Sequence, residues 1–200
     1  MTTLLQLNSS IFSSGGQSTQ LADEFVVAWR ANEPEMQVIV RDLAHDPIPH
    51  LDAQRVMAFF AQPEMRTPEQ QAFIDESDRL IEEINDAQVI VIGLPMYNFS
   101  IPSTLKAYFD QIARAGITFR YTDKGPEGLL TGKKVFVFAA RGGIYTGTPL
   151  DSQTSYVLDF LGFLGMNEVE FVYAEGLNMG ETAKEAALAK AKLRLSELVA

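Results

Sequence analysis

The segment Pro95-Met-Tyr-Asn-Phe-Ser-Ile-Pro contains the residues of this sequence best suited to hold a flat ligand. Asn98 can hydrogen-bond to the edge of a heterocycle, while Tyr97 and Phe99 can flank its ring. The segment carries no acid and no base, so it suits a planar cofactor better than it suits hydrolysis. In the alternative interpretation the aromatic side chains pack beneath the loop, which is the commoner fate of isolated aromatics.

A second segment, Asn8-Ser-Ser-Ile-Phe-Ser-Ser-Gly-Gly-Gln-Ser-Thr-Gln, is rich in hydroxyl groups and leads into a predicted helix. Backbone N–H groups at a helix N-terminus, with hydroxyls beside them, can bind a phosphate without lysine or arginine. The segment matches neither the Gly-Lys-Ser/Thr of a Walker loop nor the Gly-x-Gly-x-x-Gly dinucleotide fingerprint. A flexible surface loop with a serine N-cap is the alternative, and the segment alone does not decide between the two.

A third segment, Ala139-Ala-Arg-Gly-Gly-Ile-Tyr-Thr-Gly-Thr, places Gly142 and Gly143 directly after a buried strand. Adjacent glycines let the backbone approach a ligand and turn its N–H groups toward that ligand. A lone Gly-Gly pair is more often a tight turn. Because all three segments are predicted at the same end of one sheet, their coincidence favours a planar cofactor that bears a phosphate.

Hydrophobic patterning alternates five strands with five helices and places the three segments just after strands one, three and four. Strand three is apolar on both faces, which is typical of a parallel sheet covered on both sides. Right-handed crossovers then predict a doubly wound α/β fold with helices on both faces and the flavodoxin-like strand order 2-1-3-4-5. The whole chain, 1–200, is predicted to be one domain. The strands are predicted at 3–8, 37–43, 89–92, 134–140 and 169–174, and the helices at 21–30, 68–86, 103–115, 156–164 and 182–199.

Two long connections, 44–66 and 117–133, are predicted to build pocket walls or subunit contacts. The helix at 156–164 is apolar on more than one face, whereas a surface helix shows one apolar stripe. It is therefore predicted to touch a second subunit or to line a pocket, and deep burial within one subunit fits the pattern equally well.

Composition excludes several classes of function. The chain has no cysteine, so thiolate catalysis and cysteine metal sites are excluded, and its formal charge of -10 argues against binding to nucleic acid. His45 and His50 lie in no metal motif, no Gly-x-Ser-x-Gly elbow occurs, and no metal site is predicted. The N-terminal residues have neither a basic region nor a long apolar run, so we expect no signal peptide, no membrane span and a cytoplasmic location.

Short blocks of sequence carry a resemblance to a known family. They are Ser9-Ser10, Gln17-Ser18, Pro95-Met-Tyr-Asn-Phe, Lys106-x-Tyr-Phe-Asp, Ala113-Arg-Ala-Gly-Ile-Thr-Phe-Arg-Tyr-Thr, Gly125-Pro-Glu-Gly-Leu, Thr131-Gly-Lys-Lys, Arg141-Gly-Gly-Ile, Phe160-Leu-Gly-Phe and Ala174-Glu-Gly. In these blocks the chain resembles, nearly from end to end, the bacterial FMN-dependent NADH azoreductases of the flavodoxin-like NAD(P)H:quinone reductase superfamily.

The resemblance implies that three groups of residues bind FMN. The ribityl phosphate would lie on Ser10, Gly16, Gln17 and Ser18, the isoalloxazine ring on Pro95, Met96, Tyr97, Asn98 and Phe99, and its pyrimidine side on Ala140, Arg141, Gly142 and Gly143. The chain departs from the family at Gly16 and Ala140, where the family often has serine, so two hydroxyls are lost. Backbone N–H groups can still serve, and FMN binding is expected to survive. The resemblance also implies a homodimer whose two sites are shared across the interface.

The activity implied by the resemblance is a ping-pong reaction in which NADH or NADPH donates a hydride and a quinone or an azo compound accepts two electrons. Backbone N–H groups near Gly142 and Gly143 are the candidates for stabilising negative charge on the reduced ring. Tyr145 is the candidate proton or hydrogen-bond donor. The candidate walls of the substrate pocket, for which core packing is the alternative, are Phe59, Phe60, Phe119, Tyr121 and Phe163.

Two other classes of function compete with the reductase. A flavodoxin-like electron carrier would bind FMN without a substrate pocket of its own; the acidic charge favours it slightly, and the two long connections weigh against it. A phosphodiester hydrolase would need a base or metal ligands, which the sequence does not show. The sequence leaves open the physiological acceptor and the choice between NADH and NADPH.

Overall fold

The computed structural model describes residues 2–199, which alternate strands and helices. In chain order the elements are β1 (Thr3–Asn8), α1 (Gln17–Asn32), β2 (Gln37–Asp42), α2 (Ala53–Phe60), α3 (Pro68–Asp86), β3 (Val89–Pro95), α4 (Ser103–Ile112), β4 (Phe119–Thr122), β5 (Gly125–Gly128), β6 (Lys134–Ala140), α5 (Ser152–Phe163), β7 (Glu168–Ala174) and α6 (Glu181–Val199). Short 3-10 turns lie at Ser13–Gly15 and Pro63–Met65.

Five parallel strands form the central sheet in the order β2-β1-β3-β6-β7. Counted within this sheet, the order is the predicted 2-1-3-4-5, and the predicted flavodoxin-like α/β fold is confirmed. The order in which successive strands are added to the sheet reverses between β1 and β3, and open α/β sheets bind ligands at such a switch point. The sheet therefore places the carboxyl ends of β1, β3 and β6 side by side.

Helices cover both faces of the sheet, as predicted. Helices α1 and α6 pack on the face that contains Leu4 and Val91, while α3, α4 and α5 pack on the opposite face with Leu5 and Ile90. Adjacent residues of one strand serve different cores because side chains alternate across a strand. Within residues 2–199, no helix is long and apolar enough to cross a membrane.

The central strand β3 extends beyond its predicted end. All seven of its residues are buried, and Pro95 still pairs with Ala140 of β6. Gly93 does not end the strand; a Cβ atom there would lie 3.2 Å from the carbonyl oxygen of Ser18, so glycine lets the first turn of α1 approach the sheet closely. The end of β3 therefore contacts the start of α1, where the sequence predicts a phosphate site.

Three elements within the two long connections, helix α2 and strands β4 and β5, were not predicted. Helix α2 is a short helix whose N-cap, Asp52, accepts a hydrogen bond from the N–H of Arg55. Strands β4 and β5 form an antiparallel hairpin in which only Phe119 is buried, so no alternating apolar pattern marks it in the sequence. Polar first turns also explain why α1 and α5 each begin four residues before their predicted starts, at Gln17 and Ser152.

Candidate functional site

A cavity of about 440 Å³ opens at the carboxyl ends of β1, β3 and β6, where the sequence predicts ligand binding. Each of the three predicted segments contributes to its wall, and so does the connection between β7 and α6. The lining residues are Ser10, Phe12, Gly15, Gly16, Gln17, Ser18, Pro95, Met96, Tyr97, Ala140, Arg141, Gly142, Leu177, Asn178 and Lys184. Of the thirteen predicted cofactor-binding residues, Asn98, Phe99 and Gly143 lie outside this lining.

One end of the cavity has the features of an anion site. The N-cap of α1 is Gly16, which has no side chain to cap the helix, so the N–H groups of the first turn are left free. Among residues 2–199 no acceptor is found for the N–H of Gln17, Ser18 or Thr19. The hydroxyl of Ser18 is buried and also lacks a partner within the described part of the chain. Free N–H groups beside a buried unpaired hydroxyl are suited to a phosphate.

Gly16 is required by the packing of this end. A Cβ atom at residue 16 would lie 2.2 Å from Oγ of Ser10 and 2.5 Å from its Cβ. We therefore expect Gly16→Ser, which restores the hydroxyl that the family often has here, to weaken FMN binding by about tenfold, because overpacking displaces Ser10 at a cost of about 1–3 kcal/mol. Fluorescence titration of FMN measures the effect. Gly162→Ser is the control, because Gly162 lies outside the cavity lining and an added Cβ would have only a 3.5 Å contact. Tighter FMN binding in Gly16→Ser would contradict the prediction.

The loop after β3 is joined to the loop after β1 by the hydroxyl of Tyr97. This hydroxyl accepts a 3.2 Å hydrogen bond from the N–H of Ile11 and lies 3.4 Å from Oγ of Ser10. Ser10 in turn accepts from the N–H of Phe12 at 3.2 Å. Tyr97 therefore has a packing role, and it still contributes to the cavity wall.

Asn98 and Phe99 form the centre of a tight turn. Tyr97 and Ser100 exchange two backbone hydrogen bonds of 3.0 Å, and the φ angles of Asn98 and Phe99 are +49° and +66°. Two successive positive φ angles define a type I′ turn, a conformation that is unusual for a residue as bulky as phenylalanine. Such strain clusters at functional sites. The half-exposed ring of Phe99 lies edge-on to Tyr145, with ring centroids 5.6 Å apart, outside the cavity lining.

Arg141 has a different role from the one its sequence position suggests. Its side chain is fully buried and donates all five of its N–H groups within the protein. The acceptors are Gln153, Thr146, Glu175, Asp151 and Thr154. The guanidinium is therefore not available as a cation for a ligand. Instead it joins the loop after β6 to α5 and to the end of β7.

Gln153 extends this network to the loop after β3. Its side chain is fully buried, and Nε2 donates to the carbonyl oxygens of Pro95 at 2.9 Å and Ser100 at 3.1 Å, while Oε1 accepts from Arg141 at 3.2 Å. Arg141 and Gln153 together position two of the three cavity loops relative to each other. The sequence analysis did not identify Gln153, because a single glutamine in an amphipathic helix carries no distinguishing pattern.

Gly142 and Gly143 present backbone N–H groups without acceptors. Their carbonyl oxygens accept from the N–H groups of Asn178 and Gly176, both at 3.0 Å. No acceptor for the N–H of Gly142 or Gly143 occurs within residues 2–199. The loop after β6 is thus held through its carbonyl groups, which leaves N–H donors where the sequence predicts stabilisation of negative charge.

A family model described as the flavodoxin-like fold matches residues 2–199. The chain belongs to this flavodoxin-like family. Within the family, the FMN-dependent NADH:quinone oxidoreductase of Cellvibrio japonicus is 55% identical over 200 residues, which cover 100% of both chains. The FMN-dependent NADH:quinone oxidoreductase of Paraburkholderia phymatum is 58% identical over 192 residues, or 96% of this chain and 97% of the relative.

Solved structures of flavodoxin-like reductases are also similar. An azoreductase from Bacillus anthracis str. Sterne has a TM-score of 0.91 at 27% identity, and the match covers 100% of this chain and 99% of the other. An FMN-dependent NADH-azoreductase from Bacillus anthracis str. Ames Ancestor, in complex with FMN, has a TM-score of 0.87 at 26% identity over 99% of this chain and 100% of the other. The predicted resemblance to the FMN-dependent azoreductases and quinone reductases is confirmed.

The aromatic residues predicted to wall the substrate pocket do not line this cavity. Phe119 is buried and packs against Phe163 with ring centroids 4.3 Å apart, so packing is the evident role of this pair in one subunit. Phe59 lies over the guanidinium of Arg114 at 5.0 Å. Phe60 and Tyr121, in contrast, are 75% and 74% exposed. A substrate-binding role for the five stays a prediction.

The fourth wall of the cavity was missed by the sequence analysis. Leu177, Asn178 and Lys184 come from the connection that follows β7 and from the first turn of α6. The signal was present, since β7 ends in a glycine-containing loop at the same edge of the sheet as the other three. This fourth loop also supplies the N–H groups of Gly176 and Asn178, which donate to Gly143 and Gly142. Its Glu175 accepts from the side chain of Arg141 and from the N–H groups of Tyr145 and Thr146.

Two carboxylates that accept hydrogen bonds from Arg141 have lowered pKa values. Burial raises the pKa of Asp151, but hydrogen bonds from Arg141 and Thr154 outweigh burial, so the pKa lies below its ordinary 3.8. Glu175 behaves likewise: burial raises its pKa, and hydrogen bonds from Tyr145, Thr146 and Arg141 lower it below 4.5. A depressed carboxylate pKa stabilises the folded state above the unfolded pKa, and the effect is lost as pH falls through the folded pKa.

We therefore expect the melting temperature of the protein to fall steeply below the ordinary pKa values of these groups, 3.8 and 4.5. Glu175→Gln should melt at a lower temperature at neutral pH and lose part of this acid dependence. Calorimetry across the acid range measures both effects. A pH profile of Glu175→Gln parallel to that of the unmodified protein would show that Glu175 does not contribute to the acid sensitivity.

Proposed function

We propose that this chain is an FMN-dependent NADH:quinone oxidoreductase that also reduces azo compounds. One observation carries the proposal: a single cavity combines free N–H groups and an unpaired buried hydroxyl at the start of α1 with free N–H groups at Gly142. The first set suits a phosphate, and the second suits an electron-rich ring edge. Relatives that are 55% and 58% identical over nearly the whole length are named for this reaction, which supports the same assignment.

The residues present fit FMN. Gln17 and Ser18, with the hydroxyl of Ser10, would hold the phosphate, and Met96 and Tyr97 would contact the ring. The absence of a side chain at Gly142 lets Asn178 pack closely against it, since a Cβ atom there would lie 2.6 Å from Nδ2 of Asn178. Bound FMN would supply the hydride acceptance from NADH and the two-electron donation to a quinone or an azo group. The chain supplies orientation and N–H donors.

No dedicated acid or base is required of the chain. Tyr145 is our candidate hydrogen-bond donor at the edge of the site, because its hydroxyl lies beside Gly143, where an added Cβ atom would be 2.7 Å from the hydroxyl oxygen. The ring of Tyr145 is also in contact with Phe99 of the strained turn. We propose that Phe99 and Tyr145 form a rim over which the substrates enter.

We further propose that the chain, as one domain, works as a cytoplasmic homodimer. Phe60 and Tyr121 are exposed apolar side chains in the two long connections, and a second subunit would bury them. In the same arrangement the aromatic residues absent from this cavity would complete the substrate pocket of the partner. Sedimentation of the FMN-loaded protein tests the dimer.

An anaerobic absorbance titration tests the proposed function. FMN-loaded protein receives NADH and then a benzoquinone, and the flavin band is followed. Bleaching by NADH and recovery with the quinone is the expected result. A protein that takes up no FMN would refute the assignment, and one that binds FMN but is not reduced by NADH would be an electron carrier instead.

A further inference from the structure

We propose that Lys184 is the counter-ion of the cofactor phosphate and makes the site selective for a phosphorylated flavin; the inference rests on the proposed function. Two cationic side chains, Arg141 and Lys184, belong to residues that line the cavity. The guanidinium of Arg141 is itself buried and already donates all five of its N–H groups to acceptors within the protein. Of these two cationic residues, Lys184 is therefore the one whose side chain is available to bind a ligand.

The packing of α6 on α1 sets the position of Lys184. Nζ of Lys192 lies 2.6 Å from Oε1 of Glu24, and Nδ2 of Asn32 donates to the carbonyl oxygen of Val199 at 2.7 Å. Moving along α1 from Glu24 to Asn32, the contact on α6 moves in the same direction, from Lys192 to Val199. The two helices therefore run parallel and in register.

This register brings Lys184 to the anion site. Lys184 precedes Lys192 by the same eight residues by which Gly16 precedes Glu24, and both intervals span about 12 Å of helix. Lys184 accordingly lies beside the uncapped start of α1, and both Lys184 and Gly16 line the cavity. The first turn of α6 thus places a full positive charge at the anion end of the cavity, where the other candidate ligands are neutral N–H and hydroxyl groups.

Glu181, which pairs with Lys184 in this structure, would compete only weakly with a phosphate for the ammonium group. The ammonium of Lys184 lies 3.5 Å from Oε1 of Glu181 on the same helix, and the side chain of Glu181 is 73% exposed. Exposed pairs of this kind contribute little. A phosphate dianion at the start of α1 would attract the ammonium more strongly than one solvated carboxylate, particularly in a chain whose formal charge is -10.

The proposal separates FMN from riboflavin, which has the same ring and no phosphate. We expect Lys184→Gln to weaken FMN binding by roughly tenfold at low salt, because the variant loses the attraction between the ammonium and the phosphate. The loss should be smaller at high salt, where ions screen a partly exposed charge pair. Riboflavin binding should be unchanged. The salt dependence of FMN binding should also become shallower in Lys184→Gln, and Lys184→Arg should restore most of the affinity.

Fluorescence titrations of the full-length, FMN-free protein with each flavin at several salt concentrations measure these effects without any activity assay. Lys190→Gln is the matched control, because Lys190 lies on α6, outside this cavity, and the substitution changes the net charge equally. An unchanged FMN affinity in Lys184→Gln, or equal losses for FMN and riboflavin, would overturn the inference. Failure of the unmodified protein to bind FMN would instead refute the proposed function.

Discussion

Replacing Arg141 with methionine is expected to lower the free energy of unfolding by about 3–5 kcal/mol, because removal of one partner of a buried ion pair leaves the other charges uncompensated. The guanidinium has no exposed surface, and the carboxylates of Asp151 and Glu175 lie 3.0 and 3.1 Å from it. Methionine fills a similar volume but donates no hydrogen bond. Both carboxylates would then remain buried without a cation. Oε1 of Gln153 would also lose the hydrogen bond that it accepts from Arg141 and that helps to fix its side chain.

Urea unfolding of the FMN-free protein, followed by circular dichroism, measures the loss. Arg120→Met is the matched control, because Arg120 forms a two-pronged pair with Glu127 on the exposed hairpin, with side chains 58% and 48% exposed. An exposed pair contributes little to stability. Equal destabilisation in the two variants would contradict the structural role assigned to Arg141.

Replacing Gln17 with glutamate is expected to change FMN binding and stability in opposite directions. Gln17 is the first residue of α1 and lines the anion end of the cavity. A carboxylate there would stabilise the FMN-free protein by about 0.3–1 kcal/mol through the helix dipole. It would weaken FMN binding by roughly a hundredfold, since like charges about 4 Å apart repel by ~1–4 kcal/mol per charge pair, depending on exposure.

The test pairs thermal unfolding of the FMN-free protein with titration of FMN and riboflavin. Gln54→Glu is the control: Gln54 occupies the first turn of α2, outside the cavity, so the variant has the same charge near another helix start without a carboxylate at the anion end. FMN affinity should fall in Gln17→Glu alone. If FMN affinity survives there, the phosphate does not bind at the start of α1.

Local sequence patterns were sufficient to predict the sheet and the edge at which the cavity forms. The apolar run that begins at Val89 is enough to predict a buried central strand. Segments that follow three parallel strands must lie at the same edge of the sheet, so the glycine- and hydroxyl-rich segments were predicted to meet there. The capping box of Thr67 and Gln70 is equally local, and both of its hydrogen bonds are present, at 3.2 and 3.0 Å. These features depend only on residues close together in the chain.

Features that depend on contacts between distant residues could not be predicted. The sequence places Arg141 in a binding loop, but its five acceptors come from the loop that follows it, from α5 and from the end of β7. The hairpin after α4 is marked by one buried residue, Phe119, because most of its side chains face outward. Its packing depends on a close backbone contact between Gly128 and Gly165, which neither segment reveals alone.

The sequence by itself determined the α/β fold class, the strand order and the three loops that form most of the cavity, because hydrophobic periodicity and turn residues act locally. The tertiary structure alone decided which cation faces the cavity. Arg141 turns into a buried network of acceptors, and Lys184 reaches the start of α1 only because α6 packs parallel to α1 in a particular register. Such a register arises from side chains that interlock between elements far apart in the chain, and no local pattern encodes it.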